Sequence, residues 1–104
     1  MTPLDEMNRH VAAAADLLKA LAHPARLRVL CQLVEGETGG GELLANRQRG
    51  QSAFSQQLSV LKRCGLIRSR KVSQQIFYSL VSEAAVDVLA ALHTHFCHSD
   101  EETR

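Results

Sequence analysis

The chain has 104 residues, enough for one small domain with a modest hydrophobic core. Only one Tyr, three Phe and no Trp are present, so aliphatic side chains must supply the packing. No apolar run approaches the roughly 18 residues of a membrane span, and no cationic segment leads into a long apolar one, so a cytoplasmic location without membrane contact is expected.

Charge is more informative in its distribution than in its total. The chain carries 12 Lys+Arg against 11 Asp+Glu, a net of +1. Between Leu43 and Ser82 there is no carboxylate, whereas Arg47, Arg49, Lys62, Arg63, Arg68, Arg70 and Lys71 give that stretch +7. The rest of the chain holds 5 bases against 11 acids, or −6, which restores +1. An acid-free basic segment suits the phosphate backbone of a nucleic acid, where each neutralised phosphate releases counterions. A merely solvated basic face is the weaker alternative.

Residues 1–4 read as a frayed end. Asp5 to Ala20 has helical periodicity, with Val11, Ala14 or Ala15, Leu18 and Leu21 along one side, and the alanine run Ala12 to Ala15 favours helix. Small residues there suit either core packing or contact with a second subunit. Ala22-His23-Pro24 is a break, with His23 as the entry residue and Pro24 in the first turn of a new helix. That helix, Ala25 to Val34, is expected to bury Leu27, Leu30, Cys31 and Val34. Glu35 to Gly41 reads as a loop and Glu42 to Arg47 as a short, poor helix.

The stretch from Gln51 to Leu80 organises the chain. Phe54, Leu58 and Leu61 recur at i, i+4, i+7 and form an apolar stripe. Ser52, Ser55, Gln56, Ser59, Lys62 and Arg63 lie largely opposite, with Gln57 at the flank. Ser52 is the expected N-cap, and Gly65 ends the helix after Cys64. Two helices joined by a short turn, the second polar on one face, make a helix-turn-helix. Leu66 to Leu80 reads as two strands around a tip at Val72-Ser73-Gln74-Gln75. Ser82 caps a last helix, Glu83 to about Cys97. One of its stripes holds Ala85, Val88, Leu89, Leu92 and Phe96, and a second holds Val86, Ala90, His93 and Cys97, as if it packed on its own domain and on another subunit. The tail, 99–104, is expected to be disordered. The sum is a mainly α single domain over 1–104 with a β-hairpin wing, a winged helix-turn-helix. Gln51, Ser52, Ser55, Gln56, Gln57, Ser59 and Lys62 on the helix, with Arg68, Arg70, Lys71 and Gln74 on the wing, are its candidate DNA contacts. Ser55, Gln56 and Gln57 would face bases, and Arg68, Arg70 and Lys71 would hold phosphates.

Several segments resemble the ArsR family of repressors: Leu17 through Leu27 (LLKALAHPARL), Gly41-Glu42-Leu43, Gln51 through Leu58 (QSAFSQQL), Leu61 through Ile67 (LKRCGLI) and Ile76 through Leu80 (IFYSL). The likeness covers roughly residues 10–98. It implies a homodimer built on the first and last helices, bound to an inverted-repeat operator and released by a small signal. Metal-sensing members carry Cys-x-Cys after the Gly-Glu-Leu region or Asp-x-His on the last helix, and this chain has neither. Leu30 through Glu37 around Cys31, and Leu92 through Cys97, are instead similar to the thiol-switch branch (BigR- and SqrR-like), in which the two matching cysteines sense reactive sulfur through a disulfide or polysulfide bridge. That resemblance makes Cys31 and Cys97 the redox pair and reactive sulfur species the inducer, with no cofactor. Arg28 and His93 are candidate cations for lowering a thiol pKa. Cys64 is expected to be incidental. Two departures from the family stand out: Arg47-Gln48-Arg49 replaces an apolar–Gly–apolar pattern, and Gln57 stands where many members have His.

Two other readings compete. A metal sensor would draw ligands from His93, His95, Cys97 and His98, perhaps with Cys31. An enzyme with a cysteine nucleophile would need an orienting acid and a pocket that this short sequence does not offer, so no enzymatic activity is expected.

Overall fold

A computed structural model describes residues 2–45 and 51–97. Five helices and three short strands follow in the order α1 (Pro3–Leu21), α2 (Pro24–Leu33), β1 (Thr38–Gly39), α3 (Gly40–Ala45), α4 (Gln51–Arg63), β2 (Ile67–Val72), β3 (Gln75–Leu80) and α5 (Glu83–Phe96). The expectations for Gln48, Arg49, the Arg47 end of the short helix, His98 and the 99–104 tail lie outside the described residues.

Thr2 to Leu4, expected to fray, form the cap and first residues of α1. Thr2 caps α1 in a reciprocal box: the Asp5 amide donates to Thr2 Oγ1 at 3.1 Å, and the Thr2 amide donates to the Asp5 carboxylate at 3.4 Å. Pro3 fills the first helical position, where a missing N–H costs nothing. His23 caps α2, its Nδ1 accepting from the Ala25 amide at 3.1 Å.

The loop expected over Glu35–Gly41 contains an edge strand. Thr38 pairs with Tyr78 and Gly39 with Phe77, so the sheet order is β1-β3-β2. Tertiary pairing, not local propensity, makes this strand. The short helix then begins at Gly40, two residues before its expected start. A Cβ at Gly40 would sit 3.4 Å from the Tyr78 ring and 3.6 Å from the Ile76 carbonyl, an ordinary van der Waals contact, so the start of the helix packs directly on β3.

α4 starts at Gln51, which puts Ser52 inside the first turn rather than at the cap. Its far end is a Schellman motif. Gly65 adopts φ +77, its amide donates to the Lys62 carbonyl at 3.0 Å, and the Leu66 amide reaches the Leu61 carbonyl at 3.0 Å. Leu61 and Leu66 are both buried in the core, the apolar contact that accompanies the motif. At the wing tip Ser73 takes a positive φ of 57 in a two-residue turn between Val72 and Gln75.

The core joins Leu21, Leu30, Leu33, Leu43, Phe54, Leu58, Leu61, Ile67 and Leu89. The apolar stripe of α4 is therefore buried as its period predicts. α2 differs: Val29, Leu30 and Leu33 are buried, while Cys31 and Val34 face out. A shift of about 100° per residue decides this, and the spacing of Leu27, Leu30 and Leu33 wins. α1 differs more. Of its 19 residues only Ala20 and Leu21 are buried, and Leu4, Met7, Val11 and Leu18 are exposed along one side. The radius of gyration is 15.7 Å, above the about 13 Å of a compact chain this long, so part of the molecule projects from its core. On α5, Ala85 and Leu89 are buried, but Val86 and Phe96 are exposed.

Candidate nucleic-acid interface and thiol pair

The outward face of α4 presents Ser52, Ser55, Gln56, Ser59, Lys62 and Arg63, all exposed. Gln51 supplies the helix's first residue. Ser55 and the wing-tip Gln74 line one shallow groove with Gly41 and Tyr78, so the helix and the wing meet at a common concavity. Arg68, Lys71 and Gln74 are exposed on the wing. Hydroxyls, amides and cations are what base edges and phosphates require.

Two of the expected contacts are already engaged. Gln57 is half-buried and its Oε1 accepts from Arg26 Nη1 at 3.0 Å. Arg70 forms a two-pronged ion pair with Glu37, Nε to Oε2 at 2.7 Å and Nη2 to Oε1 at 2.8 Å, and its guanidinium lies 5.6 Å from the centre of the Phe77 ring. Ser79 Oγ donates to the same carboxylate at 3.3 Å. The Arg70 hydrogen bond above all, with the Arg70 charge, the Ser79 hydroxyl and the Arg68 charge, holds the Glu37 carboxyl below its ordinary 4.5. The acid-free segment of the sequence thus receives a carboxylate from outside itself. Glu37 and Arg26 are residues that sequence reasoning missed. For Glu37 no sequence signal existed, since 33 positions separate the partners. For Arg26 a signal did exist: an Arg just inside a helix that follows a one-turn break can reach back to the carbonyls of the preceding helix.

Cys31, Cys64 and Cys97 are free and exposed. Cys31 sits on α2 and Cys97 is the C-cap residue of α5. Although Cys31 is exposed as a residue, partial desolvation of its thiol by neighbouring atoms pushes it above its ordinary 9.0, and the charge of Cys97 raises it further. The two sulfurs therefore lie within electrostatic reach of each other, although 66 positions separate them. The expected lowering of a thiol pKa by Arg28 or His93 is not found at Cys31, where neither cation acts and partial desolvation dominates. Among the described residues no three His, Cys, Asp or Glu side chains gather as a metal set, so His93, His95 and Cys97 do not form one.

A helix-turn-helix with an exposed polar helix, followed by a hairpin wing backed by a third strand, defines a winged helix-turn-helix DNA-binding protein. Residues 23–69 match the family described as bacterial regulatory protein, arsR family. A biofilm growth-associated repressor from Agrobacterium fabrum is 42% identical over 99 residues, spanning 95% of this chain and 85% of that protein. The crystal structure of the transcriptional repressor BigR from Xylella fastidiosa superposes with a TM-score of 0.86 at 42% identity, covering 95% of this chain and 100% of that one. A structure titled reduced HlyU from Vibrio cholerae gives a TM-score of 0.84 at 41% identity, covering 89% and 98%. This chain belongs to the arsR family of DNA-binding transcriptional regulators, which are not enzymes. Among the described residues no helix is long and apolar enough to cross a membrane.

Proposed function

We propose that the chain is a dimeric repressor that holds an inverted-repeat operator and lets go when Cys31 and Cys97 are joined by reactive sulfur. What carries this reading is that the fold sets Cys97, at the end of α5, within electrostatic reach of Cys31 on α2. Names of relatives agree with it: one is a biofilm growth-associated repressor, and another has been captured in a form described as reduced. The exposed apolar side of α1, with Val86 and Phe96 of α5, supports dimerisation, because about 25 cal/mol for each square ångström is regained when such surface is covered.

The chemistry closes without a cofactor. A cysteine thiolate attacks the outer sulfur of a persulfide RSSH, forming Cys–S–SH and releasing RS⁻, which takes up a proton as RSH. The second thiolate attacks the inner sulfur of that adduct, forming the Cys31–Cys97 disulfide and releasing HS⁻. Two thiols are oxidised, and the persulfide is reduced to RSH and hydrogen sulfide. Like-charge repulsion between the two sulfurs disappears in the product. The bridge ties α2 to the end of α5, so the dimer-forming helices move relative to α4. Since a dimer reads half-sites about one helical turn apart, a small change in spacing weakens both contacts at once.

In the bound state Ser55 and Gln56 read base edges, with Gln51, Ser52 and Ser59 beside them, while Lys62, Arg68, Lys71 and Gln74 hold backbone. The test is DNA affinity of the reduced protein before and after a persulfide, with intact mass and peptide mapping of the product. Loss of affinity with a Cys31–Cys97 bridge is expected. Release that persists in Cys31→Ser would reject the switch.

A further inference from the structure

We infer that Gln57 is a positioning residue, which fixes the pose of α4 against α1 through Arg26, and is not a base reader. The inference rests on the reading of α4 as the DNA-reading helix and α1 as part of the dimer face. Arg26 lies in the first turn of α2 and spends its guanidinium on three oxygens. Nε donates to the Ala20 carbonyl at 2.7 Å, Nη2 to the Lys19 carbonyl at 3.2 Å and Nη1 to Gln57 Oε1 at 3.0 Å. The carbonyls of Lys19 and Ala20 belong to the last turn of α1, where no intrahelical amide remains to satisfy them in full. One planar cation therefore pins three helices: α1 by its C-terminus, α2 through the backbone that carries the arginine, and α4 through Gln57.

The orientation of the Gln57 amide follows from this chemistry. A guanidinium can only donate, so the atom facing it is the oxygen. Reading adenine in the major groove requires a glutamine to present its oxygen and its NH2 side by side to N6 and N7. With one acceptor site of Oε1 taken by Arg26 and the side chain half-buried, the amide is held in the orientation Arg26 sets and cannot turn to lay its oxygen and its NH2 together along an adenine edge without giving up that bond, and the NH2 has no partner among the described residues. A lone donor serves a phosphate or any acceptor and discriminates poorly. The neighbouring Ser55 and Gln56 are exposed and make no side-chain hydrogen bond among the described residues, so their donors and acceptors stay open for base edges.

The consequence concerns geometry. α1 carries the exposed Leu4, Met7, Val11 and Leu18, so a dimer seated on that face sets where each α1 lies, and Arg26 passes that placement to α4. Gln57 governs how far apart the two reading helices stand, hence which half-site spacing the dimer accepts.

Selection from random DNA duplexes first defines the preferred site of the native chain. Gln57→Met, equal in length and without polar atoms, and Arg26→Lys, which keeps the charge but not the fork, are then compared with it. Both variants should keep the native base preference at every position. Both should lose about tenfold in affinity on all sequences, which is about 1.4 kcal/mol, and should accept half-sites one base pair closer or farther apart. The double variant should be no weaker than the weaker single one. A change of preference at one base pair of each half-site in Gln57→Met alone, or additive losses, or an unchanged spacing profile, would overturn the proposal. Should Arg26→Lys fail to fold, the base and spacing profiles of Gln57→Met decide the matter. A native chain that enriches no sequence rejects the DNA-reading role of α4, and this proposal with it.

Discussion

The wing carries three cations, and among the described residues one of them, Arg70, is already paired. Arg68 and Lys71 are exposed, whereas Arg70 is held by Glu37 at 2.7 and 2.8 Å. Affinity for duplex DNA falls with salt by a logarithmic slope of about 0.9 per neutralised phosphate. Replacing Arg68 or Lys71 with Gln should therefore flatten the slope by about 0.9 each. Between 50 and 200 mM salt, a fourfold change, one contact corresponds to about a 3.5-fold difference in the native-to-variant affinity ratio. Arg70→Gln should flatten the slope by well under half that amount, because a phosphate must first displace a carboxylate that already neutralises the guanidinium. In a Glu37→Gln background the same Arg70→Gln replacement should recover the full effect of about 0.9. The sign of the pH dependence follows from the depressed Glu37 carboxyl. The pair is intact above the ordinary carboxylate value of 4.5 and is lost only as pH falls through the lower folded value, so binding near neutrality always meets the charged clamp. Fluorescence anisotropy titrations on the selected duplex at four or five salt concentrations supply the slopes. If Arg70→Gln flattened the slope as fully as Arg68→Gln, the clamp would not survive in the DNA-bound protein and the reasoning would be refuted.

Leu61 has no exposed surface and sits where α4 meets its Schellman turn, so Leu61→Ala should cost about 2–5 kcal/mol in urea unfolding followed by circular dichroism; a loss below about 1 kcal/mol would mean the site collapses without a cavity. Cys97→Ser removes the like charge that raises Cys31, so the Cys31 thiolate fraction near pH 8 and its alkylation rate by iodoacetamide should rise, read by peptide mass to separate it from Cys64. Burial, the larger cause, stays, so the rate should remain below that of an unhindered cysteine; an unchanged rate would deny that the two sulfurs are neighbours. Leu18, 53% exposed in a single chain, lies on the apolar side of α1, so on the proposed dimer Leu18→Asp should shift sedimentation from dimer to monomer with little change in helix content; a native chain that sediments as a monomer would reject the dimer.

Legibility in the sequence tracked the range of the interactions. α4 was readable because its stripe, its glycine stop and its polar face are all local, and the Schellman geometry of Gly65 and Leu66 completes what the glycine implied. α5 was readable for the same reason, with Ser82 Oγ accepting from Ala85 at 3.1 Å as a cap should. The two-residue strand β1 was not, since its only cause is the free edge of β3, about 40 positions later in the chain. Charge counting failed in a related way: it found the acid-free segment but could not see that the fold brings Glu37 onto it. Helical periodicity puts Gln57 at the border of the polar face, but it gives no account of Arg26 approaching from another helix. On the proposed reading, what binds DNA is therefore less than the sum of the polar and cationic residues between Gln51 and Lys71. Part of that inventory is spent within the protein, on Arg70 and Gln57, and those two side chains hold the wing to the loop after α2 and the reading helix to α1. Both tethers end on α2 or just after it, the helix that carries Cys31. On the proposed reading, a bridge that shifts α2 reaches the wing and the reading helix through the same two arginines.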